Sequence, residues 1–134
     1  MDSQPGLQLH HIALRALDPQ QVAAFYHTIL DLPELRRGHD AQGLYSIWLG
    51  IGAHAILMIE RGDQKPTRND GWEFVAFGIK SGDSAYWRDR LTQHLVDIEG
   101  ETDHTLYFRD PEGNRVGLSA YPDVLNAGSP LSRG

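Results

Sequence analysis

His11, Arg15, Trp48, Glu60, Tyr107, Arg109, Ser119 and Tyr121 are the chemistry-bearing side chains that strand alternation gathers on one face of this 134-residue chain. The sorting starts in Leu9-His10-His11-Ile12-Ala13-Leu14-Arg15, where Ile12 and Leu14 point one way and His11, Ala13 and Arg15 the other. In the segment 73–79, Val75, Phe77 and Ile79 oppose Phe74, Ala76 and Gly78. In 114–121, Val116 and Leu118 oppose Gly117, Ser119 and Tyr121. The bulky aliphatic side must pack on helices. The other side is small and polar, unlike a core, and suits the holding of a small molecule. Matching Gly52 with Gly113 as turn glycines of equivalent hairpins adds Ser46, Trp48, Met58 and Glu60 to that face, beside Tyr107 and Arg109.

Arg15 and Arg109, near Trp48, Tyr107 and Tyr121, would hold an anionic or planar aromatic ligand by charge-assisted hydrogen bonds and stacking. Equally, each arginine could pair with a carboxylate (Glu60, Asp110 or Glu112) and close the edge of the face. The pattern leaves both readings open. Ser119 has no His–Asp company at matching places, so it offers no hydrolase triad, and no catalytic residue is assigned. His11 and Glu60 are the candidate metal ligands. Their plainer readings are a hydrogen-bonded lining histidine and a solvated strand-end acid. His10 should face helices or a partner, while His27, His39, His54 and His94 read as surface residues.

The elements that must position these residues occur twice. A β-rich run at 8–15 leads to Asp18, a side-chain cap, and Pro19, suited to the first helical position. Val22, Phe25, Tyr26, Ile29 and Leu30 then recur at helical spacing. Strands follow at 35–38, 44–50 and 54–60, the last two joined at Gly50-Ile51-Gly52. The second copy runs through a strand at 72–79, an Asp83 cap, and a helix whose Trp87, Leu91 and Leu95 share a face. Strands at 98–101, 105–109 and 114–121 complete it. Asp110-Pro111-Glu112-Gly113 is turn chemistry between the last two. Repetition at this period gives an α+β domain of two βαβββ modules, about 7–61 and 72–122. A polar linker, 62–71, joins them, and a polar tail covers 123–134.

Composition bounds the partners. Eighteen acidic against twelve basic residues leave a formal charge of −6, and Arg36-Arg37 is the one basic pair, which argues against nucleic acid. The absence of cysteine excludes disulfides, thiolate metal sites and cysteine nucleophiles. No apolar run reaches membrane-spanning length and the first residues form no signal pattern, so no membrane partner and a cytoplasmic address are expected. The open sheet edges of two such modules invite pairing, so a homodimer is expected, with 8–15 and 72–79 at or near the interface.

Leu9-His10-His11-Ile12-Ala13-Leu14, the run Phe25–Pro33, and Leu106-Tyr107-Phe108-Arg109-Asp110-Pro111-Glu112-Gly113-Asn114-Arg115-Val116 together resemble the vicinal oxygen chelate superfamily. It contains glyoxalase I, bleomycin-resistance proteins, fosfomycin-resistance enzymes and extradiol dioxygenases. The resemblance covers about residues 7–122 and implies paired βαβββ modules whose mixed sheet curls into a cup. It also implies, in metal-dependent members, a divalent ion held by His, Glu or Gln at fixed places on first and last strands. Those places are His11, Phe74, Gly117 and one near Ile56. One imidazole does not hold such an ion. The cofactor expectation is therefore none, or one divalent ion on His11 with unorthodox ligands such as Glu60. The leading function is a glyoxalase/bleomycin-resistance-type small-molecule-binding protein with an incomplete metal site. The alternative is a metal-dependent lyase or dioxygenase.

Overall fold

Asp18 caps the first helix as its side chain allows: Oδ1 accepts the Gln21 N–H at 3.0 Å, and Pro19 follows inside the first turn. This helix, α1 (Pro19–Leu30), buries Val22, Ala23, Tyr26, Ile29 and Leu30 along one stripe. Asp31 ends it in the left-handed conformation, φ 65°. The computed structural model describes residues 6–63 and 72–120. The chain divides into two units, Met1–Pro66 and Thr67–Gly134.

In the first unit α1 covers a four-stranded mixed sheet of β1 (His11–Ala16), β2 (Glu34–Asp40), β3 (Gly43–Ile51) and β4 (Ala55–Arg61). The order is β1-β4-β3-β2, with β1 parallel to β4 and the other pairs antiparallel. Ile47, Leu49, Leu57 and Ile59 are buried with the α1 stripe, each worth roughly 1.5–3 kcal/mol on leaving water. β2 runs for seven residues, beyond both ends of the 35–38 strand that the sequence implies, and pairs with β3 through two register shifts.

The second unit repeats the plan with β5 (Val75–Gly78), α2 (Ser84–Gln93), β6 (Gly100–Glu101), β7 (Thr105–Arg109) and β8 (Arg115–Ser119). Its order is β5-β8-β7-β6, again with one parallel pair, β5 with β8. Leu91, Leu106, Phe108, Val116 and Leu118 form its core. Both units are α+β. No helix among the described residues is long and apolar enough to cross a membrane.

Three sequence expectations change here. Asp83 lies at the end of a short 3-10 turn, Ser81–Asp83, and makes no side-chain cap bond to α2. Leu95 follows α2 with φ 61° and is exposed, so it does not continue the buried face of Leu91. The first strands are shorter at their starts than the apolar pattern suggested: β1 begins at His11 and β5 at Val75. Tyr121, most of the 62–71 stretch and the 123–134 tail lie outside the described residues.

Candidate functional site

Register places the polar faces in rows. In the first unit, Arg15 pairs with Glu60, Glu60 with Ser46, and Ser46 with Gly38. The next row is Ala13, Met58, Trp48 and Arg36, and the third is His11, Ile56 and Gly50. Residues so paired project to the same side of the sheet. His11, Arg15, Trp48 and Glu60 therefore share one face, opposite the buried Ile47, Leu49, Leu57 and Ile59. Gly38 leaves room for the Ser46 hydroxyl, which would have to turn away from a Cβ placed 2.7 Å from its oxygen.

Within that face the two candidate metal ligands are separated. His11 stands opposite Ile56, four residues along β4 from Glu60, or about 13 Å at roughly 3.3 Å per residue. The two are therefore not cross-strand neighbours, and Glu60 faces Arg15 in its row. His11 instead has its Nδ1 2.9 Å from Nδ1 of His10, in an exposed pair. The Arg15 stem passes beside Gly62, where an added Cβ would lie 3.3 Å from the Arg15 Cβ and 3.5 Å from its Cδ. Neither Arg15 nor Glu60 forms an ion pair among the described residues, although they are cross-strand partners.

The second unit shows the same rows. Gly78, Ser119 and Thr105 form one, and Ala76, Gly117, Tyr107 and Gly100 the next. By register Gly117 is thus the counterpart of Met58, each lying opposite an aromatic residue and an alanine. Matching the turn glycines Gly52 and Gly113 had displaced this equivalence by two residues and put it near Ile56. The reason is that Gly52 directly follows β3, whereas Gly113 comes late in the Asp110–Asn114 turn. In that turn Asp110 Oδ1 accepts the Glu112 and Asn114 N–H groups.

Ser119 and Arg109 are engaged within the second unit. The Ser119 and Thr105 hydroxyls are 2.7 Å apart. Arg109 donates Nε to Glu99 at 3.0 Å and Nη1 to the Gly113 carbonyl at 3.0 Å. Its carboxylate partner is therefore Glu99, not Glu60, Asp110 or Glu112. Arg115 donates Nε to the other Glu99 oxygen, also at 3.0 Å. The Arg109 hydrogen bond, above all, holds the Glu99 carboxyl below its ordinary range against the opposing effect of burial, with Arg115 adding in the same direction.

The aromatic rings are occupied too. Arg115 Cζ lies 4.2 Å from the Tyr107 ring centroid, and Phe74 meets the same ring edge-on at 5.0 Å. In the first unit Arg36 Cζ lies 4.8 Å from the Trp48 centroid. Arg36, Arg115 and Glu99 were missed because cross-strand partners depend on register, which no local pattern reveals. Arg36 was visible only as half of a basic pair.

The places that the superfamily resemblance assigns to metal ligands hold His11, Met58, Phe74 and Gly117. A thioether, a phenyl ring and a bare Cα offer no hard donor, so the residues present do not fit a divalent ion of that type. Among the described residues no group of three or more His, Asp or Glu could hold a metal ion.

Comparison with known proteins agrees with this architecture. The chain is 24% identical over 127 residues to metallothiol transferase FosB of Bacillus licheniformis, spanning 88% of this chain and 78% of that protein. It is 28% identical over 115 residues to the putative ring-cleaving dioxygenase MhqE of Bacillus subtilis, spanning 78% of this chain but 38% of that protein. Its fold matches a mutant of the fosfomycin resistance protein FosX from Listeria monocytogenes, complexed with Mn(II) and 1S,2S-dihydroxypropylphosphonic acid. That match has a TM-score of 0.72 and 24% identity, over 84% of this chain and 91% of that one. Lactoylglutathione lyase from Agrobacterium tumefaciens matches with a TM-score of 0.68 and 17% identity, over 87% and 95% of the two chains. The model of the Glyoxalase/Bleomycin resistance protein/Dioxygenase superfamily matches residues 8–118, and the chain belongs to that superfamily.

Proposed function

We propose that this protein binds a small organic molecule on the polar faces of its sheets and holds no resident divalent ion. One observation carries the reading: of the four ligand places, only His11 keeps a donor side chain, while Met58, Phe74 and Gly117 do not. Arg15 and Glu60 in the first unit, and Tyr107 in the second, supply polar groups that a ligand could meet. The active species is proposed to be a cytoplasmic homodimer.

Elemental analysis of protein purified without a histidine tag tests this. The expected result is well under one equivalent of Ni, Zn, Fe or Mn per chain, unchanged in His11→Ala. About one equivalent that disappears in His11→Ala overturns it. That outcome would favour the second reading, a metal-dependent lyase or dioxygenase, which is supported by the His11 ring standing beside His10 in an exposed pair.

A further inference from the structure

We infer that Arg115, lying over the Tyr107 ring and tethered by Glu99, is an oxyanion-binding fork, with Arg36 over Trp48 as its counterpart in the other unit. The inference rests on the small-molecule reading above and deepens it, by naming the bound group as a carboxylate or a phosphate. Trp48 and Tyr107 hold the same station in their sheets, opposite Met58 and Gly117. Each ring is covered by an arginine. The cation comes from β2 in one unit and β8 in the other, so the arrangement is reached twice by different residues and is not a copied local sequence.

A ring that already carries a guanidinium is a poor platform for stacking an aromatic ligand, but a good one for presenting N–H groups. Stacking uses the face of the guanidinium and leaves its in-plane donors free. In Arg115 only Nε is taken, by Glu99. Among the described residues Nη1 and Nη2 have no protein acceptor, and neither does the Tyr107 hydroxyl. Two coplanar nitrogens match the two oxygens of a carboxylate or phosphate. Arg109 lacks this capacity, having spent Nε on Glu99 and Nη1 on Gly113. Charge points the same way: one carboxylate, Glu99, faces two guanidiniums, which leaves one positive charge for an incoming anion.

The test titrates the full chain separately with benzoate and with inorganic phosphate, by calorimetry and by the amide shifts of Tyr107 and Gly117. One of the two probes is expected to bind and move both amides, and the one that does tells carboxylate from phosphate. Arg115→Met keeps the aliphatic stem over Tyr107 and removes the fork. It should weaken that probe by about tenfold or more with little change in thermal midpoint. Arg115→Lys should fail similarly, because an ammonium cannot make the paired contact. Neither probe moving the two amides, or Arg115→Met binding within about twofold of the parent, overturns the inference. A ligand held equally well by Arg115→Met sinks the fork alone, whereas a stoichiometric metal sinks the broader reading alone.

Discussion

Gly117 shows how one residue decides the chemistry of a sheet. Strand alternation alone put it on the polar face with Ser119, and the register agrees. Alternation could not show that Tyr107 is its direct cross-strand partner, nor that Arg115 and Phe74 close over the same ring. A Cβ at Gly117 would sit 3.4 Å from Tyr107 Cε1, 3.4 Å from Thr105 Cγ2 and 3.5 Å from the Ala76 Cβ. A methyl group therefore fits with ordinary contacts, but a longer side chain must displace the ring. Gly117→Ala should change stability by less than about 0.5 kcal/mol. Gly117→Glu should cost about 1–2 kcal/mol, because it overpacks the space beneath Tyr107 and buries part of a carboxylate there. Chemical denaturation of the two variants beside the parent checks this. Equal midpoints for Gly117→Glu and the parent would show that the ring is not held where the structure has it.

At the scale of elements, the sequence was most legible where a local signal had a local partner. Asp18-Pro19 is such a signal: the cap, the first-turn proline and the buried stripe of α1 all follow from neighbours within one turn. Asp83 carries the same residue type before the equivalent helix, yet its side chain makes no cap bond, because Ser81–Asp83 is wound into a 3-10 turn that leads directly into α2. Leu95 failed for a related reason, since the helix ends at Gln93 before the apolar spacing does. The two aspartates give a paired prediction. Asp18→Ala should destabilise by about 1 kcal/mol through loss of its bond to the Gln21 N–H, and Asp83→Ala by less than about 0.5 kcal/mol. Thermal unfolding of both variants at neutral pH reads the difference. Equal losses at the two positions would mean that the capping geometry described here is wrong.

For the whole molecule, the repeat itself was readable because each module declares its strand–helix–strand order twice, and the two sheets do share strand order. What the repeat could not supply is the cover for its edges. Among the described residues β1 and β5 each pair on one side only, with β4 and β8, and stand at the ends of their sheets. The segments leading into them carry exposed apolar side chains: Leu7 at 104%, Leu9 at 58% and Trp72 at 84% relative exposure. Large apolar groups beside an unpaired strand edge are a surface that pairing would cover. The proposed homodimer follows from that need, with His10 and Glu73, both exposed on the single chain, becoming shielded. Light scattering at micromolar concentration should therefore return a mass twice the 15.0 kDa of one chain. Hydrogen exchange should be slowed along 8–15 and 72–79 relative to a diluted sample. Replacing Leu9 and Trp72 together by aspartate should shift the equilibrium toward the single chain, because each charge would have to be desolvated at the contact. A parent protein that remains a 15.0 kDa species at every concentration would refute the dimer.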